Sequence, residues 1–162
     1  MDKIEDAVRR LEELRIPYEL VRCKPAETME MLTEIGLEQK GVIGKNLFLR
    51  DAKGRRHFLV FVYGDKKVDL AALKDKIGST RLSFGSAERL ESHLGLLKGS
   101  VSPLGVLYNT DADVEIVFDR DFIGCPSVGV HPNDNTGVVW LSFEDLVRFV
   151  EANGNPISYI DL

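Results

Sequence analysis

Six consecutive apolar or aromatic residues at positions 58–63 constrain the fold of this chain more than any other segment. A strand with one buried face alternates polar and apolar side chains, but this segment shows no alternation. Such a run is typical of a central strand that is covered on both faces. With 162 residues, the chain is long enough to bury a sizeable core within one domain.

A second predicted strand at 46–50 is joined to the first through Asp51-Ala52-Lys53-Gly54, whose final glycine suits a hairpin turn with a bulge. Further strands are predicted at 18–21, 113–118, 127–130 and 138–141, and helices follow the capping residues Asp2, Thr28, Asp69, Ser86 and Ser142. Strands and helices do not alternate regularly. The sequence therefore predicts an α+β fold around a mixed or mostly antiparallel sheet.

Lys45 and Asn46 lie at the start of the strand at 46–50, directly after Gly41 and Gly44. Glycines allow unusual backbone angles and the close approach of a ligand. The apolar residues that follow Asn46 are typical of a strand fixed in a core. A cation at this place would be held in position, although a lysine beside a strand is more often an ordinary surface residue.

The chain lacks the short motifs of common hydrolases and nucleotide-binding proteins, including G-x-S-x-G, H-E-x-x-H and the Walker loop. The three histidines share no ligand spacing with either cysteine, so no metal and no cofactor are predicted. His57 and His93 are interpreted as structural. Catalytic triads are recognised by geometry, so a hydrolase that uses Ser102 and His131 stays open.

The net charge of −5 argues against a general nucleic-acid coat, but the charge is unevenly distributed. Residues 40–81 carry 11 basic and 4 acidic side chains, whereas residues 82–162 carry 4 and 12. The basic segment could bind phosphates, although a charge run is more often a solvated face. No apolar run reaches the length of a membrane span, and the first residues are too charged for a signal peptide. A cytoplasmic protein without a membrane partner is predicted.

Three segments together resemble a known family. They are G-K-N-L-F-L-R-D from Gly44, G-S-V-S-P from Gly99 and V-H-P-N-D-N-T from Val130. In this order and spacing they are similar to the YbaK/ProRS-associated-domain family of aminoacyl-tRNA editing deacylases, and within it to the free-standing prolyl-tRNA editing proteins. The resemblance covers nearly the whole chain. It implies a single YbaK-like domain over residues 1–162, in which helices surround a mixed, mostly antiparallel and barrel-like sheet.

The resemblance also implies roles for individual residues. Lys45 would engage the ester region of the substrate or a phosphate, and Gly99 and Ser102 belong to a G-x-x-x-P loop that presents backbone amides to the ester. Ser102 could equally serve only to close that loop. Substrate binding is assigned to Asn46, Met29, Met31, Leu32, Pro103, His131, Asn135 and Thr136, with 29–32 as the wall that sets specificity. Binding of tRNA is assigned to Arg50, Lys53, Arg55 and Arg56.

The implied reaction is metal-independent hydrolysis of the ester in alanyl-tRNA(Pro), carried out in trans. A synthetase cannot exclude a smaller amino acid sterically, since a missing methylene is worth only about 1 to 3 kcal/mol of binding. A second, smaller pocket would remove the error. Cysteinyl-tRNA(Pro) or seryl-tRNA as substrate and a non-catalytic tRNA-binding module of the same fold stay open. The implied partner is the acceptor end of mischarged tRNA(Pro), and a transient contact with prolyl-tRNA synthetase also stays open.

Overall fold

The strands of this protein form two mixed sheets, as seen in a computed structural model that describes residues 2–25 and 40–162. The described residues contain β1 Glu19–Arg22, β2 Val42–Ile43, β3 Lys45–Arg50, β4 His57–Val62, β5 Ser83–Phe84, β6 Glu115–Asp119, β7 Val128–Val130, β8 Gly137–Leu141 and β9 Ile157–Ile160. The small sheet has the order β1-β8-β7-β2, and the large sheet has the order β5-β3-β4-β6-β9.

The α+β class predicted from the sequence is confirmed, but the strands do not make one barrel-like sheet. Within the ranges that the structure describes, neither sheet closes on itself. The pairs β2 with β7, β4 with β6 and β6 with β9 are parallel, whereas the other four pairs are antiparallel. Both sheets are therefore mixed, and the antiparallel majority is small.

Four α-helices surround the sheets in the described residues. They are α1 Lys3–Glu13, α2 Leu70–Ile77, α3 Ala87–Leu94 and α4 Phe143–Asn153, and two short 3-10 helices span Pro103–Tyr108 and Arg120–Phe122. Each α-helix follows a residue whose side chain accepts backbone N–H groups of the first turn, namely Asp2, Asp69, Ser86 and Ser142. The helix predicted after Thr28 lies outside the described residues. None of the described helices has the length and apolar character to cross a membrane.

Strand β4 is the central strand that the apolar run predicted, since all six of its residues are buried. On one face, Leu59 and Phe61 belong to a core cluster that also contains Val139 of the small sheet and Leu146 of α4. The side chains on the other face pack in a second cluster with Leu73 of α2. The large sheet is thus covered on one side by the small sheet and α4 and on the other by α2.

Gly44 is the residue at which the chain passes from the small sheet to the large one. Its N–H donates to the oxygen of Gly129 at 3.4 Å, and the next residue already pairs with Val62 in the large sheet. A Cβ atom at Gly44 would lie 2.1 Å from the ring of Phe61. That ring is fully buried and stacks on Phe122 with centroids 4.5 Å apart, so it cannot easily move. The crossing therefore requires glycine at this position.

We expect Gly44→Ala to lower the free energy of unfolding, measured in urea, by about 1 to 3 kcal/mol because the added methyl group overpacks a buried ring. Replacing the ring as well should relieve the clash. The double variant Gly44→Ala/Phe61→Leu should accordingly lose less than the sum of the two single losses. Strictly additive losses would contradict the contact between position 44 and the ring.

Candidate functional site

Lys45 and His131, two of the predicted site residues, follow strands that end at the same edge of the small sheet. Strands β2 and β7 are parallel and in register, with Ile43 opposite Gly129. Lys45 and His131 each come two residues after one member of that pair. Parallel strands in register end at the same edge, so the chain leaves the small sheet at that edge just before each of these two residues. The start of β8 lies there too, because β8 runs antiparallel to β7.

Lys45 is half-buried, and its ammonium group has one hydrogen-bond partner among residues 2–25 and 40–162. Its Nζ donates to the main-chain oxygen of Lys66 at 2.6 Å. A lysine ammonium has three donors. Two of them therefore have no acceptor in the described part of the chain, and a substrate could engage them. The cation is held, as the sequence predicted, but by a loop after β4 that the sequence did not indicate.

His131 is oriented by the backbone. Its Nδ1 lies 2.9 Å from the oxygen of Gly137. A carbonyl oxygen only accepts hydrogen bonds, so Nδ1 carries the proton and Nε2 keeps its lone pair. Burial lowers the pKa of His131 below 6.5, although the bond to Gly137 and the charge of Asp134 act in the opposite direction. The ring is therefore neutral at pH 7, and Nε2 is an acceptor or a base.

Asn46 does not stand beside Lys45 in space. Adjacent residues of a strand point to opposite faces, and Asn46 shares the face of Phe48, which belongs to the core cluster between the two sheets. Its Oδ1 atom is buried and has no hydrogen-bond partner in the described residues. A buried acceptor without a donor is destabilising. The described residues supply no donor for this atom, and the role of Asn46 in substrate binding stays a prediction.

The loop at 99–103 is shaped by two turns. Ser100 donates its N–H to the oxygen of Leu97 at 3.0 Å, and Gly99, the third residue of that turn, has a φ of 90°. A positive φ at this position favours glycine. Ser102 is fully buried, and its hydroxyl oxygen accepts the N–H of Leu104 at 3.1 Å. It caps the 3-10 helix that begins with the buried Pro103.

The capping bond accounts for Ser102 without any contact to a substrate. Of the two interpretations that the sequence left open, the structure favours closure of the loop. A buried hydroxyl whose oxygen already accepts a backbone N–H is poorly placed to attack an ester. A catalytic role for Ser102 stays a prediction, and no contact in the described residues links it to His131.

The loop at 131–136 is fixed by its own polar groups. Asn133 has a φ of 64°, is almost fully buried, and donates from Nδ2 to the oxygen of Leu104 at 3.2 Å. Asp134 accepts from both the N–H and the hydroxyl of Thr136, at 2.8 and 2.6 Å, and these bonds help to lower its pKa. Cys23 in turn donates its N–H to the oxygen of Thr136. The loop is thereby tied to the residue that follows β1 and to the 3-10 helix at Pro103–Tyr108.

A cavity of about 430 Å³ lies between these two loops and the start of α1. It is lined by Asp2, Lys3, Ile4, Arg22, Leu97, Ser100, Asn133, Asp134 and Thr136. The cavity therefore brings Thr136 together with the turn that contains Gly99, whereas Lys45 and His131 do not line it. Its two cations, Lys3 and Arg22, were not predicted from the sequence, because nothing in their local sequence distinguishes them from other surface charges.

The predicted tRNA-binding residues lie away from this edge. Lys45 begins β3 and Arg50 ends it, so the two are about 17 Å apart along the strand. Arg50 donates to the backbone oxygens of Asp51 and Ala52. Lys53 and Arg55 are exposed, and their side chains form no hydrogen bond or ion pair within the described ranges. These two residues are the ones that stay available to a phosphate backbone.

Arg56 has a structural role that the charge pattern did not indicate. Its Nε and Nη2 atoms both lie 2.9 Å from the carboxylate of Glu115, and Nη1 donates to the oxygen of Gly78. The guanidinium also lies over the ring of Phe58, 4.9 Å from its centroid. With its donors used in this way, Arg56 joins β4 to β6 and α2.

The remaining predicted residues divide into two groups. Met29, Met31 and Leu32 lie outside the described residues, so the specificity wall stays a prediction. The rings of His57 and His93 are tilted by 32° with centroids 3.9 Å apart, and Arg89 contacts Nε2 of His57 at 3.0 Å. Burial, followed by electrostatic interaction with His93 and Arg89, lowers the pKa of His57 to about 4. No group of three or more His, Cys, Asp or Glu residues in the described ranges could hold a metal ion.

Comparisons with known proteins match the fold and the whole length of the chain. A sequence model of the aminoacyl-tRNA editing domain matches residues 23–149. The prolyl-tRNA editing protein ProX of Acetoanaerobium sticklandii is 51% identical over 162 residues, which cover 100% of this chain and 99% of the relative. Prolyl-tRNA synthetase associated domain-containing protein 1 of Mus musculus is 34% identical over 151 residues, which cover 91% and 89% of the two chains.

A solved structure has the same fold. The crystal structure of a candidate trans-editing enzyme for prolyl tRNA synthetase superposes with a TM-score of 0.75 and covers 100% of this chain and 98% of its own. The two sequences are 17% identical, so this likeness concerns the fold alone.

We expect nitrogen NMR at pH 7 to show His131 protonated on Nδ1 only, and to show a titration midpoint below 6.5. Because the folded protein favours the neutral ring, folding gains stability above pH 6.5, and this gain is lost as the pH falls from 6.5 through the lowered pKa. His131→Gln should therefore make the free energy of unfolding less dependent on pH in that interval. A midpoint above 6.5, or a proton on Nε2 alone, would contradict the assigned geometry.

Proposed function

This chain belongs to the aminoacyl-tRNA editing domain family, and we propose that it is a trans-acting deacylase that hydrolyses the ester of alanine mischarged onto tRNA(Pro). Identity of 51% over the whole chain to a prolyl-tRNA editing protein supports the choice of tRNA. The observation that supports the proposal is the parallel pairing of β2 with β7, since Lys45 and His131 each come two residues after the paired positions Ile43 and Gly129. The proposal includes a cytoplasmic location, since mischarged tRNA arises where translation takes place.

Lys45 supplies a held positive charge to the substrate. Two of its N–H donors have no acceptor in the part of the chain that the structure describes. They would engage the ester oxygens or the neighbouring phosphate of the terminal nucleotide. Arginine carries the same charge on a larger, planar group, so it would not replace this compact ammonium.

The turn at Gly99 supplies donors for the developing negative charge. The backbone N–H groups of Gly99 and Val101 have no acceptor within residues 2–25 and 40–162. When water attacks the carbonyl carbon, the carbonyl oxygen becomes an oxyanion, and each donor aimed at it is worth about 3 to 4 kcal/mol. The bond between the carbonyl carbon and the ribose oxygen then breaks. A proton passes to the ribose oxygen, and free alanine and tRNA(Pro) leave.

His131 would contact the attacking water or the free ribose hydroxyl of the substrate. Its neutral ring presents the lone pair of Nε2, which can accept a hydrogen bond from the attacking water or from the free hydroxyl of the terminal ribose. Binding of the aminoacyl end is also assigned to Asn46, as the sequence predicts. Positioning of the ester and the water, together with the oxyanion donors, would supply the rate enhancement without a protein nucleophile.

Contacts to the tRNA beyond its last nucleotide are assigned to Lys53 and Arg55. Both are exposed on the hairpin at the far end of β3. Their charges would meet phosphates of the acceptor stem while the 3′ end reaches Lys45, and such contacts weaken as salt concentration rises. Discrimination between alanine, cysteine and serine is assigned to Met29, Met31 and Leu32, as the sequence predicts.

The proposal is tested by incubating the protein, in the presence of EDTA, with tRNA(Pro) charged separately with alanine, cysteine, serine and proline. We expect rapid loss of alanine and retention of proline. Lys45→Ala should slow the loss by roughly 100-fold or more because a transition-state contact is removed. Lys76→Ala is the matched control, since Lys76 is exposed on α2 and contacts only the backbone of Asp161 in the described residues.

Each other outcome changes a defined part of the proposal. Loss of cysteine or serine instead of alanine would keep the reaction and replace the amino acid. Binding of tRNA without hydrolysis of any ester would favour the non-catalytic module. Activity that EDTA abolishes would contradict metal independence, and an unchanged rate in Lys45→Ala would contradict the assigned site.

A further inference from the structure

The carbonyl that holds Lys45 belongs to a loop, residues 63–66, that is fixed by one buried carboxylate. Asp119, at the end of β6, is fully buried. Its Oδ2 accepts the N–H of Tyr63 at 3.0 Å and lies 2.9 Å from the Nζ of Lys66. One side chain therefore holds both ends of the loop, and the oxygen of Lys66 in turn accepts from Lys45 at 2.6 Å.

The ammonium group of Lys66 makes all of its hydrogen bonds to other groups of the protein. Besides Asp119, its Nζ contacts Asp121 at 2.6 Å and the backbone oxygen of Leu162 at 3.2 Å. Burial alone would lower the pKa of Lys66, but the bonds to Asp121 and Asp119 outweigh it, and the net change is upward. Lys66 is therefore charged at neutral pH. It forms an internal ion pair, although its sequence context suggested a member of the basic tRNA-binding segment.

The two carboxylates that contact Lys66, those of Asp119 and Asp121, differ in their other contacts. Asp119 is shielded from water and contacts the loop backbone at Tyr63. Asp121 has a side chain that is 60% exposed, and it contacts the ammonium of Lys66 without touching the loop backbone. Loss of Asp119 removes a loop contact and leaves a charged group without its buried partner. Loss of Asp121 removes one solvent-exposed pair, which contributes little.

We propose that Asp119 and Lys66 are positioning residues that set where the ammonium of Lys45 meets the ester. The inference rests on the proposed deacylase function of Lys45. The carbonyl of Lys66 occupies one of the three donors of Lys45 and so fixes the direction of the other two. If the loop shifts, that direction shifts with it. A displacement of about 1 Å at a reacting group can reduce a rate by roughly 100-fold.

The kinetic test compares Asp119→Asn and Lys66→Met with Asp121→Asn under single-turnover conditions on mischarged tRNA(Pro). We expect Asp119→Asn and Lys66→Met to reduce kcat by roughly 10- to 100-fold and to leave KM nearly unchanged, because neither residue contacts the tRNA. Asp121→Asn should retain the wild-type rate. The double variant Asp119→Asn/Lys66→Met leaves no unpaired buried charge and is used where a single variant is unstable.

A second measurement reports on Lys45 without any tRNA. The folded protein is labelled briefly with acetic anhydride, and mass spectrometry compares modification of Lys45 with that of the exposed Lys53 in the same sample. Freed from its carbonyl partner, Lys45 should react faster relative to Lys53 in Asp119→Asn and Lys66→Met. The ratio should stay at the wild-type value in Asp121→Asn. Thermal unfolding establishes that each variant is folded at the temperature of labelling.

The two measurements separate this inference from the proposed function. If wild-type protein deacylates no substrate, the proposed function fails, and the inference, which rests on that function, falls with it. If Lys45→Ala is inactive while folded Asp119→Asn and Lys66→Met keep the wild-type kcat and labelling ratio, only the positioning role is overturned. A fall in activity that merely follows the loss of folded protein, with an unchanged labelling ratio, would also overturn it.

Discussion

The close approach of Gly44 to the ring of Phe61 is the contact on which the arrangement of this protein depends. It allows the chain to leave the small sheet and enter the large one within one residue. Lys45 therefore starts β3 at the edge where β2 and β7 have just ended. A side chain at position 44 would clash with the ring of Phe61 and disturb the point at which the chain crosses between the two sheets. The contact between Gly44 and Phe61 therefore constrains both the packing of the two sheets and the position of Lys45.

The side chains that this account places at the site are oriented by backbone carbonyls. The oxygen of Lys66 holds the ammonium of Lys45, and the oxygen of Gly137 fixes the tautomer of His131. Strand ends and turns supply such groups because their carbonyls are not used within a ladder. The family to which the chain belongs edits aminoacyl-tRNA. Ester hydrolysis by positioned water needs held donors and acceptors more than it needs a nucleophile, and this edge supplies both.

The sequence predicted features that local chemistry determines and missed those that depend on tertiary packing. The caps Asp2, Asp69, Ser86 and Ser142 act within their own first turns, and the buried strand β4 follows from its unbroken apolar run. The two-residue strand β2 exists only through its pairing with β7, and the partners of Arg56 and Lys66 lie far along the chain. The local sequence around a long cationic side chain does not show which group it contacts, so Arg56 was assigned to tRNA binding and Lys66 was counted in the basic segment. Ser102 had two open roles, and the hydrogen bond that its hydroxyl oxygen accepts from the N–H of Leu104 favours the cap.

The most direct test of the account is to map where the aminoacyl end binds. The probe is an adenosine that carries alanine in amide linkage at its 3′ position, which stands in for the terminal nucleotide of alanyl-tRNA and resists hydrolysis. NMR titration should shift the Lys45 ammonium, the His131 ring and the Gly99 amide, and should leave the hairpin at 51–56 unchanged. Saturable shifts that avoid the edge where β2 and β7 end, or shifts confined to the hairpin, would contradict the assignment of the site.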